Sequence, residues 1–113
     1  MGNKDRRTIL VFNHTLAGHR VEFFHHLYLA AMTKASDSFI FSYPKSDEEQ
    51  MHYLEWPRAD NIEFNSFDLV IAGSSRLQSS YRLYTTLKKT IRETKPDMVI
   101  LMDVIFFMPF LSF

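Results

Sequence analysis

Four short runs of apolar residues, separated by stretches with helical periodicity, constrain this sequence more than any other feature. Thr8-Ile9-Leu10-Val11-Phe12 and Met98-Val99-Ile100-Leu101-Met102 carry no polar alternation at all. A continuous apolar run of that length reads as a strand covered on both faces, as in a parallel sheet. Between them, residues 38–43 form a second strand closed by Pro44. The third strand has two placements. We prefer 67–73, because Gly73-Ser74-Ser75 makes a natural strand-to-helix junction; the alternative is 62–64, with most of the next stretch helical.

A helix is expected over 19–34, with Phe23, Phe24, Leu27, Tyr28 and Ala31 on one face. Ser46-Asp47-Glu48-Glu49 has the capping-box pattern and predicts a short helix ending before Trp56-Pro57. Leu77, Tyr81, Tyr84, Leu87 and Ile91 form a second helical stripe, stopped by Lys95-Pro96-Asp97. Strands that alternate with helices in this way predict an α/β fold, an open parallel sheet with helices on both faces.

With 113 residues, the chain is one domain or part of one. Its hydrophobic fraction of 46% is enough for a core, and its 11 phenylalanines predict thick packing layers. It ends at Leu111-Ser112-Phe113 without a polar tail, where a doubly wound sheet usually continues, so we expect a fragment of a larger fold.

The net charge is zero but unevenly spread. Residues 37–68 are acid-rich, with Lys45 and Arg58 alone against them; residues 76–95 are basic, opposed only by Glu93. An overall balance of this kind argues against a dedicated nucleic-acid binder, while the basic helix could help dock the protein on an anionic inner membrane. Cysteine is absent, which excludes disulfides and thiolate metal sites. The polar start and a four-residue apolar core from Ile9 to Phe12 make no signal peptide, so a cytoplasmic protein is expected. The apolar segment from Met98 onward is shorter than a membrane span and contains Asp103 and Pro109.

In open α/β sheets ligands bind outside the carboxyl ends of the strands, where strand order reverses. With a 3-2-1-4 order, the loop from Asn13 to Arg20 and the residue Asp103 face one another there. Gly18 permits a tight turn, and the helix after it offers free backbone N–H groups. Arg20 adds a fixed positive charge. His14 or His19 can take a proton from a hydroxyl, and Asp103 can orient that imidazole or bind hydroxyls itself. A helix cap or a solvated side chain is the ordinary alternative for each. His19, Glu22 and His26 share a helix face but lack the His-Glu-x-x-His spacing, so no metal site is expected. Trp56 reads as a packing residue more than as a platform for a sugar ring.

The run ILVFNHTLAGHRVEFFHHLYLA (9–30) resembles the first strand, glycine-containing loop and first helix of GT-B glycosyltransferases, and LYTTLKKTIRETKPDMVILMD (83–103) is similar to their fourth-strand entry. The resemblance implies the Rossmann-like amino-terminal domain, which binds mainly the acceptor, a glycan or lipid-linked molecule. The nucleotide-sugar donor, a co-substrate with no cofactor beside it, would be bound mainly by a second domain. Gly18-His19 matches the Gly-His pair that carries the general base in inverting members. His19 is therefore the catalytic candidate, with His14, Gly18, Arg20 and Asp103 as acceptor-binding candidates. Glu22 matches the glutamate after the loop in the retaining family-4 group, so the stereochemistry stays open. Three other classes compete. A receiver would need an acidic pair after the first strand, where Asn13-His14 stands; a dinucleotide-binding oxidoreductase would need Gly-x-Gly-x-x-Gly. A non-catalytic Rossmann-like binding module is the third.

Overall fold

The computed structural model describes residues 6–16, 18–68 and 76–102. Thr8–Phe12 forms the first strand, β1, in which Ile9, Leu10, Val11 and Phe12 are all buried. Successive side chains of a strand point to opposite faces, so burying all four requires cover above and below. Helix α1 (Arg20–Met32) comes next, then β2 (Ser38–Pro44), a 3-10 helix (Lys45–Tyr53), β3 (Ile62–Phe67), α2 (Arg76–Thr94) and β4 (Met98–Leu101).

The four strands form one parallel sheet in the order β3-β2-β1-β4. The chain moves outward from β1 to β2 to β3, then jumps back across both to place β4 beside β1. Right-handed crossovers on such a path put α1 and the β2–β3 connection on one face and α2 on the other. The packing obeys that rule. Ile9, Val11, Phe39 and Phe41 meet Val21, Phe24, Tyr28 and Ala31 of α1, together with Met51 and Trp56. On the opposite face, Leu10, Phe12 and Ile40 meet Leu83 and Leu87 of α2. Each fully buried phenylalanine or leucine in these layers stabilises the fold by roughly 1.5–3 kcal/mol. The result is an open α/β sheet with helices on both faces and Rossmann-like strand order.

Three local expectations are corrected. The third strand runs over Ile62–Phe67, where the second of the two placements put it; of the preferred 67–73, residues 69–73 lie outside the described part. As an edge strand, β3 leaves Glu63, Phe64 and Ser66 exposed, so a search for uniformly apolar runs passes over it. The capping box does not form: the N-cap of the 3-10 helix is Pro44, with no side-chain cap bond. Phe23 and Tyr81, expected on buried stripes, are each 55% exposed. Val21 belongs on the buried face of α1 and Leu83 on that of α2.

The amino ends of the strands are tied together by polar contacts. Arg7 donates from Nε and Nη2 to the Asp37 carboxylate at 3.4 and 3.2 Å, and this hydrogen bond, then the charge of Asp37, raises the arginine pKa further. The buried Asn61 donates its amide to the carbonyls of Ala31, Lys34 and Asp37, closing the end of α1. Thr8 N–H donates to Asp97 Oδ2 at 2.8 Å, fastening β1 to the start of β4. Between α2 and β4, Lys95 stands in the left-handed region with φ 48°, the place a helix usually gives to glycine.

Candidate active site

Because all four strands run the same way, their carboxyl ends share one end of the sheet, and the reversal of order falls between β1 and β4. The two ends are joined directly there, Met102 N–H donating to the Phe12 carbonyl at 3.1 Å. Asp103, the next residue, lies outside the described part.

Asn13 continues β1 by one residue, its N–H donating to the Ser42 carbonyl at 3.0 Å. Its Oδ1 accepts from Thr15 N–H at 3.3 Å, the local bond by which asparagine turns a chain. Leu16 is fully buried beneath the loop, and its N–H donates to Asp47 Oδ2 of the 3-10 helix at 2.9 Å. Gly18 then takes φ 64°, a conformation other residues adopt at a cost of roughly 1–2 kcal/mol. A Cβ at Gly18 would meet nothing within 4 Å, so the constraint is conformational and not steric. His19 is the N-cap residue of α1, without a side-chain cap bond.

The two histidines of the loop are held differently. Arg20 Nη1 lies 3.3 Å from His14 Nε2. A guanidinium can only donate, so this nitrogen of His14 is the acceptor and is engaged. His19 Nδ1 lies 3.4 Å from Glu22 Oε1, and the ionised carboxylate can only accept. In the neutral tautomer that donates from Nδ1, the lone pair is on Nε2, on a fully exposed side chain. Glu22 occupies the first turn of α1, where a negative charge suits the helix dipole.

The structure thus gathers His14, Gly18, His19 and Arg20 on one loop at the carboxyl end of β1. It also adds residues that sequence reasoning misses. Asn13 and Ser42 are both fully buried, and among the described residues Asn13 Nδ2 and Ser42 Oγ find no hydrogen-bond partner. Tyr43 on β2 has its hydroxyl pKa raised by burial, then by the charge of Glu48 and a hydrogen bond to it. A polar residue directly after an apolar strand is the available signal for Asn13. Asp47 is hidden within a charge run.

Hollows of about 400 and 540 Å³ lie at the other end of the sheet, lined by Thr8, Ser38 and Asn61 and by Arg7, Lys34 and Asp37. Size favours those, but topology favours the loop, because open parallel sheets take ligands at their carboxyl ends. Trp56 is a packing residue: Nε1 donates to the Met51 carbonyl, and its ring meets Phe24, His25, Tyr28 and Phe64 edge-on. Among the described residues no three histidine or carboxylate side chains converge as a metal site requires, and no helix is long and apolar enough to cross a membrane.

Fold and loop together define an open α/β protein of Rossmann-like order with a polar, histidine-bearing loop at its switch point. A receiver sheet places its first strand between the second and third, whereas β1 here lies between β2 and β4. No protein-family model, curated protein or solved structure matches the chain.

Proposed function

We propose that this chain is the acceptor-side Rossmann-like domain of a cytoplasmic GT-B-type glycosyltransferase, which moves a sugar from a nucleotide-sugar donor to a hydroxyl of a glycan or lipid-linked acceptor. The observation that carries the reading is the His19–Glu22 pair at the switch point of the sheet.

With its proton on Nδ1, His19 has Nε2 free to receive the acceptor's hydroxyl proton. As that proton leaves, the acceptor oxygen bonds to the anomeric carbon, and the bond from that carbon to the nucleoside diphosphate breaks. Glu22 holds the imidazole tautomer and stabilises the imidazolium that forms. A base acting in this way gives direct displacement, hence inversion. Gly18 lets the loop approach the acceptor closely. Arg20, with His14 beside it, presents hydrogen-bond donors to hydroxyl or phosphate oxygens, and Asp103 is assigned to acceptor hydroxyls. The donor is held mainly by a second domain.

The test uses protein made from the complete reading frame, incubated with a panel of nucleotide sugars and candidate acceptors. Release of nucleoside diphosphate that depends on acceptor supports the enzyme. Glycan binding with no donor turnover would instead mark a binding module and overturn the proposal.

A further inference from the structure

Helix α2 buries Leu83, Leu87 and Thr90 against the sheet and turns Tyr81, Arg82, Lys88, Lys89 and Arg92 outward. From Arg82 to Arg92 the four cations span about 15 Å of helix axis at 1.5 Å per residue. Lys88 and Arg92 stand four residues apart, where like charges weaken a helix. Among the described residues neither Lys89 nor Arg92 has a carboxylate within ion-pair distance. Lys88 lies 5.3 Å from the Tyr84 ring centroid, which holds its charge near the helix surface. The acidic β2–β3 connection, with Glu48, Glu49 and Glu55 exposed, packs on the other face of the sheet through Met51, Leu54 and Trp56.

We propose that the outer face of α2 is a docking surface for an anionic lipid bilayer. Opposite charges on opposite faces orient the molecule at a negative surface, α2 inward and the acidic connection outward, although the net charge is zero. Tyr81, 55% exposed on the same side, suits the headgroup layer, where tyrosine is enriched. A nucleic acid fits this surface less well. Asp68 and Glu93 line a hollow beside Lys89, where carboxylates would meet a phosphate chain lying along the groove. A flat bilayer touches only the outermost side chains. The helix runs from the carboxyl end of the sheet back to its amino end, and the His14–Arg20 loop leads into α1 on the opposite face.

The experiment is cosedimentation of the complete protein with vesicles of phosphatidylglycerol and phosphatidylcholine, against vesicles of phosphatidylcholine alone. Binding should require the anionic lipid and vanish in 1 M salt, where the screening length is about 3 Å. Each of Lys89→Gln and Arg92→Gln should weaken it about fivefold, and the pair Lys89→Glu with Arg92→Glu should abolish it. Circular dichroism of each variant checks that α2 is intact. Equal binding to neutral vesicles, undiminished binding by the folded double variant, or binding to RNA but not to vesicles would overturn the proposal. Vesicle binding is read without turnover, so its failure is distinguishable from failure of the glycosyltransferase reading.

Discussion

Leu16 and Asp47, 31 residues apart in sequence, are joined by a 2.9 Å hydrogen bond from the leucine N–H to the aspartate Oδ2. The bond couples the loop after β1 to the 3-10 helix after β2, two connections at the same end of the sheet. It also satisfies an N–H that the burial of Leu16 shuts away from water.

Asp47→Ala should therefore destabilise the protein by about 1–3 kcal/mol, the cost of leaving a buried donor without its acceptor. Hydrogen exchange should show the Leu16 amide opening faster than in the parent, with amides of the central β1 strand changing only in step with global stability. An unchanged Leu16 amide would mean that the bond contributes nothing to holding the loop.

Phe23 and Phe24 are neighbours of identical chemistry with opposite roles. Phe24 is fully buried against Phe41, whereas Phe23 is 55% exposed. Denaturant melts should show Phe24→Ala losing about 3–5 kcal/mol, a large core truncation, and Phe23→Ala staying within about 0.5 kcal/mol of the parent. Equal losses would contradict the orientation of α1.

That pair also shows how far the sequence could be read. Central strands announce themselves, because β1 and most of β2 must be apolar on both faces, whereas right-handed crossovers set the face of each helix and leave the order β3-β2-β1-β4 to the packing. The rotation of α1 is harder: with Phe23, Phe24 and Leu27 all apolar, periodicity alone gives a broad stripe, and packing against β2 selects Val21, Phe24 and Tyr28. Edge strand β3 loses to 67–73 in a search for apolar runs because solvent on one side admits Glu63 and Asn65. At the site, His14, Gly18, His19 and Arg20 are legible as a polar loop after an apolar strand. The Asp47 bond is not, since it joins two loops that only the folded sheet brings together.

Lys95 carries a positive φ of 48° where glycine pays no Cβ penalty. Lys95→Gly should raise stability by up to about 1 kcal/mol, offset in part by the extra freedom of glycine in the unfolded chain. Thermal melting would register this as a higher Tm. A lower Tm would show that the lysine side chain matters more than its backbone strain.

Burial raises the hydroxyl pKa of Tyr28 and Tyr43 above the ordinary 10.0, with the Glu48 charge and hydrogen bond adding to the shift at Tyr43. The folded state therefore holds these protons more tightly than the unfolded chain does. Their contribution is fully present below pH 10.0, the unfolded value, and is lost as pH rises through the higher folded values. Denaturation measured at rising pH should show this contribution level up to pH 10.0 and falling above it, and Tyr28→Phe with Tyr43→Phe should flatten the profile. An equally steep slope in the double variant would assign the alkaline loss to other groups.

The most direct measurement is steady-state sugar transfer by the complete protein carrying His19→Ala, compared with the parent and with Glu22→Gln. If His19 Nε2 takes the acceptor proton, His19→Ala should lower kcat by about 100-fold or more. Glu22→Gln should cause a smaller loss, because the amide cannot balance the positive charge that His19 gains as the proton moves. Transfer by His19→Ala at the parent's rate would contradict the account.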